Sequence, residues 1–433
     1  MSYIEHYRET ATDLPGQALA WLQTLRASAS QAFADQGFPS PREEEWRYTN
    51  ITAIEKKRFR GGHPGTTAEV GPLLGYGLAD AWRLVLVDGQ FSPSLSRLEG
   101  LPEGAVVLPL TEALSRYPEQ VRDRLEESND VDSSRFLDFN TAYFRDGAYI
   151  DIGDRVILDT PIQILNLSTR TEGLSVTRQL IGVGRHAQAR IVETHAGLDA
   201  AAYLSAAVTQ LSLAEGAHLD HFKLQVESSR AYHFGALLIQ QGPHSRLRQH
   251  HAAFGGLVGR TDIHSDLRQG AECDLNGLFM VDGRSHLDTH FLLHHRESHA
   301  SSREHYRGIA GERGRGVFAG RIVVDEAAAK TDAEMSSRNL LLSADAEIDS
   351  KPQLEIHTDD VKCSHGVTVG QLDAESVFYL QSRGIDETSA RNMLTFAFAN
   401  EMVEKIDLQP LRRQVREALL RKLPQTDIRV DWL

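Results

Sequence analysis

Apolar and polar positions change rhythm twice along this chain. Near the start, Ala18, Trp21, Leu22 and Leu25 recur at helical spacing, and Ala32 and Phe33 continue that face about two turns later. Gly37-Phe38-Pro39-Ser40-Pro41 breaks the helix, and a charged segment with two aromatics follows, Arg42-Glu43-Glu44-Glu45-Trp46-Arg47-Tyr48-Thr49. The Gly/Pro-rich stretch Gly61 to Gly77 predicts a loop, Trp82 to Val87 a strand, and Leu110 to Leu125 short helices. From about Asp151 to Gly370 short alternating runs take over, among them Arg155-Val156-Ile157-Leu158, Ala189-Arg190-Ile191-Val192-Glu193 and His218-Leu219-Asp220-His221-Phe222. Alternation places successive side chains on opposite faces of a strand. The chain then closes on helices. Ala390, Met393, Leu394, Ala397, Phe398, Met402, Val403 and Ile406 share one face, with Asp386 or Thr388 as cap. Leu411, Val415, Leu419 and Leu423 mark a second helix from Pro410.

Many short strands between turns suit a sandwich, a barrel or a solenoid. More than 200 residues of such strands favour the solenoid, because one sandwich core rarely grows so large. The turn-like openings recur at irregular spacing, so no strict internal repeat is visible. The pattern divides the chain into a mainly helical part (1–130), a β core (131–372) and a helical end (373–433).

Charge and cysteine usage narrow the function. The chain has 433 residues, with 46 basic against 60 acidic side chains and a net charge of −14, which argues against general nucleic-acid binding. Two cysteines, Cys273 and Cys363, build no disulfide framework and suit a reducing cytoplasm. The first residues lack the pattern of a signal peptide, and no run of about 18 apolar residues predicts a membrane helix.

Cys363 and His365 are the strongest candidates for chemistry. Two residues apart in extended chain, they face the same side, and thiolate and imidazole bind zinc, iron and iron–sulfur units. Two donors do not close a tetrahedral shell, so the rest must come from the metal unit, distant residues or another protein. Ten of the nineteen histidines lie between His244 and His305. Within that span, His286, Asp288, His290 and His294 alternate with Leu287, Thr289, Phe291 and Leu293. His286, His290 and His294 are therefore secondary metal candidates, weighed against a solvated polar strand face; a helix would align them too. Cys273 alternates with the apolar set and reads as a core thiol. Gly311 to Gly316 reads as a tight turn between strands. Phosphate-binding loops and the nucleophile elbow are missing. Phe396, Phe398 and Met402 either pack the last helices onto the β core or form a docking face for a partner.

Several blocks resemble the SufB/SufD family. They are Phe318-Ala319-Gly320-Arg321-Ile322-Val323-Val324, Lys330-Thr331-Asp332-Ala333, Arg338-Asn339-Leu340-Leu341-Leu342-Ser343 and Lys351-Pro352-Gln353-Leu354-Glu355-Ile356. Asp359 to Gly370, Phe378 to Ile385 and Ala390 to Leu394 extend the likeness, and Glu44 to Thr49 resembles the family's amino-terminal part. The length, and the lack of a cysteine-rich segment near the amino terminus, point to the SufD branch. The resemblance implies a mainly β protein, with a right-handed parallel β-helix core between N- and C-terminal helical domains. It implies a non-catalytic scaffold subunit of a SufB–SufC–SufD complex for iron–sulfur cluster assembly. SufB would pair through the β-helices, and SufC, an ATPase, would dock on the C-terminal helices. His365, with Cys363 beside it, would help hold a transient cluster at the SufB interface. The sequence leaves the oligomeric state in isolation open: an edge that pairs with SufB in the complex could pair with itself, as a homodimer, in its absence. Reduced flavin has been linked to the family's complex, but no sequence feature here binds one. The alternative is a stand-alone histidine-rich metal-binding protein or metalloenzyme of β fold; a carbohydrate-active β-helix is weaker, for want of a carboxylate pair.

Overall fold

Strict alternation obliges each strand to bury one face, and the strands meet that demand by coiling around a shared interior. The computed structural model describes residues 13–61, 67–127 and 135–424. Its strands, β1 to β19 in chain order, form two sheets. One runs β2 (Gln90–Phe91), β1 (Trp82–Val87), β5 (Ile162–Ser168), β7 (Gln188–Gly197), β9 (His218–Val226), β11 (Arg246–Ala253), β13 (Glu272–Val281), β15 (Ser301–Ala310), β17 (Asp332–Leu341), β19 (Lys362–Gln371). The other runs β3 (Ala105–Pro109), β4 (Ala148–Ile152), β6 (Leu174–Val183), β8 (Leu204–Leu213), β10 (Tyr232–Gln241), β12 (Val258–Leu267), β14 (His286–His295), β16 (Arg315–Val324), β18 (Glu347–Ile356). From β4 onward the chain crosses from sheet to sheet at every strand, and neighbours within a sheet are parallel, giving a β-solenoid of about eight turns. The strand expected at Trp82 to Val87 is β1, which pairs in parallel with β5; β2 and β3, which the sequence pattern does not single out, pair antiparallel with β1 and β4.

One corner of the coil explains several histidines. His186, Gly216, His244, Gly270, His299 and Lys330 all adopt left-handed backbone, φ between 55° and 65°. Each of the first five donates its N–H to the next coil, at Glu215, Pro243, Gln269, Ser298 and Ala329, over 2.8–3.1 Å. A Cβ on Gly216 would lie 2.4 Å from Nδ1 of His186, and one on Gly270 equally close to His244, so glycine must alternate with the rings. The turn expected over Gly311 to Gly316 joins β15 to β16 within Gly311 to Gly314, with Glu312 left-handed at φ 53° and Arg315 and Gly316 already in β16.

The interior holds an apolar column that includes Ile191, Leu219, Leu247, Cys273, Leu275, Phe318 and Ile322. Its middle coils enclose a sealed ionic cluster. Glu193 and Lys223 are cross-strand neighbours. Glu193 receives bonds from His195 at 2.6 Å and Thr209 at 2.7 Å, and Lys223 Nζ lies 3.1 Å from His233 Nε2. Burial opposes the Glu193 charge, yet the His195 hydrogen bond and the nearby His221, 3.6 Å away, hold it well below the usual carboxylate range.

Helices cover the two outer faces. The helix Ala20–Gln36 packs through Leu22, Ala29 and Phe33, and Arg135–Tyr143 lays Phe136 on Phe234 of β10, ring centroids 3.9 Å apart. Gly71–Tyr76, inside the stretch expected to be a loop, forms a 3₁₀ turn that buries Leu73; residues 62–66 of that stretch lie outside the described residues. At the other end, the helices Ala374–Ser382, Glu387–Val403 and Gln409–Lys422 follow β19. Asp386 caps Glu387–Val403 by accepting from the Ser389 N–H at 2.9 Å.

Candidate functional site

Cys363 and His365 lie on β19, the last strand of its sheet, whose one strand neighbour among the described residues is β17. Cys363 pairs with Ala333 and His365 with Met335, both buried in the solenoid core. The two donors therefore belong to the inward-facing column of the coil. No further coil covers them, so Cys363 is half-buried and His365 exposed. Val369 (47% exposed) and, on the edge strand β18, Ile356 (40%) share that uncapped end. Burial pushes the Cys363 thiol up, and the Ala333 backbone bond only partly offsets it, so the side chain stays protonated near neutrality. Cys273 stands in the same inward column, register-paired with Ser302, which pairs with Ala333. It is fully buried and its thiol is pushed well up by burial, as a core cysteine should be.

The histidine stripe occupies the outer face of β14 as the alternation predicts, but most of that face is not solvated. The segment Glu44–Thr49 lies over it. Thr49 Oγ1 bonds His286 Nε2 at 2.8 Å and donates to Asp288 Oδ2 at 2.5 Å. His290 Nε2 meets Asp288 at 2.9 Å, and its Nδ1 faces Glu45 at 3.4 Å. Arg260 joins Asp262 (2.8 Å) and Asp288 (3.3 Å) and stacks over the Trp46 ring at 4.0 Å. Burial alone would lower His290, but the Asp288 charge overrides it and raises the ring to about 9. The His290 hydrogen bond holds Glu45 down to about 2. His294 pairs with Asp325 at 2.7 Å. In a strand, residues four apart stand about 13 Å from one another, so His286, His290 and His294 do not converge on one ion. Among the described residues no group of three His, Cys, Asp or Glu side chains is placed to hold a metal. Sequence reasoning missed the latch because Thr49 and His286 are 237 positions apart.

Of the two readings left open for Phe396, Phe398 and Met402, their surroundings favour packing onto the β core. Phe396 and Met402 are buried against β9, β13 and β15 through Phe222, Leu278, Met280 and Ile309, and Phe398 packs at the edge of that cluster with Arg307 over its ring. Arg307 also bonds the Phe398 carbonyl and Glu401. Their apolar surface is used within the chain. The aromatics left facing outward sit on Ala374–Ser382: Phe378 is 70% exposed and Tyr379 57%, while Val377 alone of that helix is buried. Helical spacing gave no reason to prefer them. No helix among the described residues is long and apolar enough to cross a membrane.

Known proteins match this chain along most of its length. The model of the SUF system FeS cluster assembly SufBD core domain matches residues 166–398, and that of the SufBD protein N-terminal region matches 1–164. The chain is 31% identical over 414 residues to the iron–sulfur cluster assembly protein SufD of Escherichia coli, covering 93% of this chain and 94% of the relative. It is 30% identical over 411 residues to an iron–sulfur cluster assembly SufBD family protein of Synechocystis, covering 92% and 90%. It is 27% identical over 427 residues to the chloroplastic protein ABCI7 of Arabidopsis thaliana, covering 95% and 88%.

Proposed function

The chain belongs to the SufBD family of iron–sulfur cluster assembly proteins, and on that premise we propose that it is a non-catalytic scaffold subunit that shares a nascent-cluster site with SufB. The observation that carries this reading is an inward-facing thiol and imidazole, Cys363 and His365, left uncapped on an edge strand. Among the described residues β18 and β19 each have a single strand neighbour, so the free edge of each could take a partner strand through main-chain hydrogen bonds. A SufB solenoid seated there would cover the apolar end and supply the missing donors. An arriving cation would release the proton that burial keeps on Cys363, converting it to a thiolate ligand. In isolation, two copies of this chain would satisfy the same edges by pairing with each other.

ATP hydrolysis would reside in SufC. Phe378 and Tyr379 replace Phe396, Phe398 and Met402 as its docking residues, because they are the exposed aromatics of the C-terminal helices. Movement of those helices on ATP binding would shift the β18–β19 edge, provided SufC binds one arrangement more tightly than the other. Two free cysteines suit a cytoplasmic setting.

Co-purification from the native cell with SufB and SufC tests the partnership. Iron and acid-labile sulfide in that complex, measured for His365→Ala and Cys363→Ser, test the site. Loss of loading with the complex intact is expected; normal loading in both variants refutes the shared site. A solitary chain that holds stoichiometric metal would favour the stand-alone reading.

A further inference from the structure

Three of the sequence blocks that carry the family likeness converge away from Cys363 and His365, on a cleft of about 570 Å³. The amino-terminal segment supplies one wall through Glu44, Glu45, Trp46 and Tyr48. The outer faces of β14, β16 and β18 supply much of the floor. Register sets His290, Ala319 and Lys351 in one row and Leu292, Arg321 and Gln353 in the next. Ala319 leaves a shallow well between the longer side chains on either side. The volume falls within the usual range of small-molecule sites, about 300–1,000 Å³.

The charges of the cleft sort themselves into pairs with one remainder. Glu43 pairs with Arg135 at 2.6 Å, Glu44 with Lys351 at 2.5 Å, Glu45 with His290 at 3.4 Å, and Asp262 with Arg260 at 2.8 Å. Arg321 is exposed on the floor with no partner among the described residues. The Lys351–Glu44 pair is weak, since Glu44 is largely in solvent. Tyr48 keeps part of its ring open at the wall, and Leu292 adds a small apolar patch. A guanidinium without a counter-ion, a releasable ammonium and an open aromatic ring together suit a flat ring carrying phosphate.

We propose that this cleft binds a nucleotide-like phosphate, its phosphates on Arg321 and Lys351 and its ring against Tyr48. The site is independent of the shared cluster site. It would place a small-molecule ligand where the amino-terminal segment meets the solenoid, next to the β18 edge.

Isothermal titration calorimetry on the full chain tests this with three probes: ADP, pyrophosphate and adenosine. ADP should bind at one site, and more tightly than pyrophosphate or adenosine. Arg321→Ala should weaken ADP by about tenfold, the value of one charge-assisted contact. Tyr48→Ala should weaken ADP and leave pyrophosphate unchanged. Arg321 is exposed, so its variant should fold normally, and circular dichroism checks that. ADP binding that is equal in Arg321→Ala and the parent chain, pyrophosphate as tight as ADP, or no saturable ADP binding would each overturn the proposal.

Discussion

Asp288→Ala should be among the most damaging substitutions on the outer face of the solenoid. The Asp288 side chain is almost fully buried and meets Thr49, His290 and Arg260 at 2.5, 2.9 and 3.3 Å. Removing it leaves two buried cations facing an empty position. Breaking a buried ion pair from one side costs about 3–5 kcal/mol. Arg260 keeps Asp262 at 2.8 Å and His290 keeps Glu45 at 3.4 Å, which places the loss near the lower end, about 3 kcal/mol. Urea unfolding of the full chain, followed by far-ultraviolet circular dichroism, measures it. The amino-terminal segment should also become open to protease near Arg42 and Arg47. A loss under about 1 kcal/mol, the value of a surface pair, would refute the reasoning. pH supplies a second check with a defined sign. His290 is raised to about 9, so its contribution is complete below its ordinary value of 6.5 and is lost as pH climbs through 9. Glu45 is lowered to about 2, so its contribution is complete above 4.5 and is lost as pH falls toward 2. In Asp288→Ala the alkaline limb should shrink and move to lower pH, because only Glu45 is left to hold the His290 charge.

Phe378→Ala with Tyr379→Ala should abolish SufC capture while changing stability by no more than about 0.5 kcal/mol, whereas Phe396→Ala should cost about 3–5 kcal/mol in urea; equal stability losses would contradict the assignment of inner and outer faces. Iodoacetamide on the native chain should label Cys363 and spare Cys273, with a rate that keeps rising above pH 9 because burial pushes the Cys363 thiol up; labelling of Cys273, or a plateau at neutral pH, would count against it. Gly277→Ala would bring a Cβ to 2.0 Å from the Tyr306 ring and should cost about 1–3 kcal/mol; an unchanged urea midpoint would show that the ring can retreat.

The alternation at Leu287, Thr289, Phe291 and Leu293 was enough to orient β14, and the pairing of Cys363 with His365 by parity alone matched the register. The repeat was hidden for a physical reason. Gln188 aligns with His218, then Arg246, then Glu272, so successive coils take 30, 28 and 26 residues, and Ser301 to Asp332 takes 31. The corner that fixes each coil accepts His and Lys as well as Gly at its left-handed position, so it leaves no single-letter signature. Part of the histidine excess between His244 and His305 follows from that corner, at His244 and His299, and part from the latch under Thr49. Phe396 and Phe378 are alike to any helical pattern. Only the direction from which the solenoid meets each helix makes one a core residue and leaves the other outside.

The two ends of the solenoid differ in what they offer to another chain. At the first, β2 is two residues long, and both β2 and β3 run against their neighbours. At the last, β18 and β19 are ten residues each and run with the stack. Growth by stacking is therefore possible in one direction only. Once that terminus meets another of its kind, head to head, no template remains, and the product is a closed pair rather than a filament. Such a stop matters for a protein built from the same parallel ladder that, left open at both ends, would propagate into fibres.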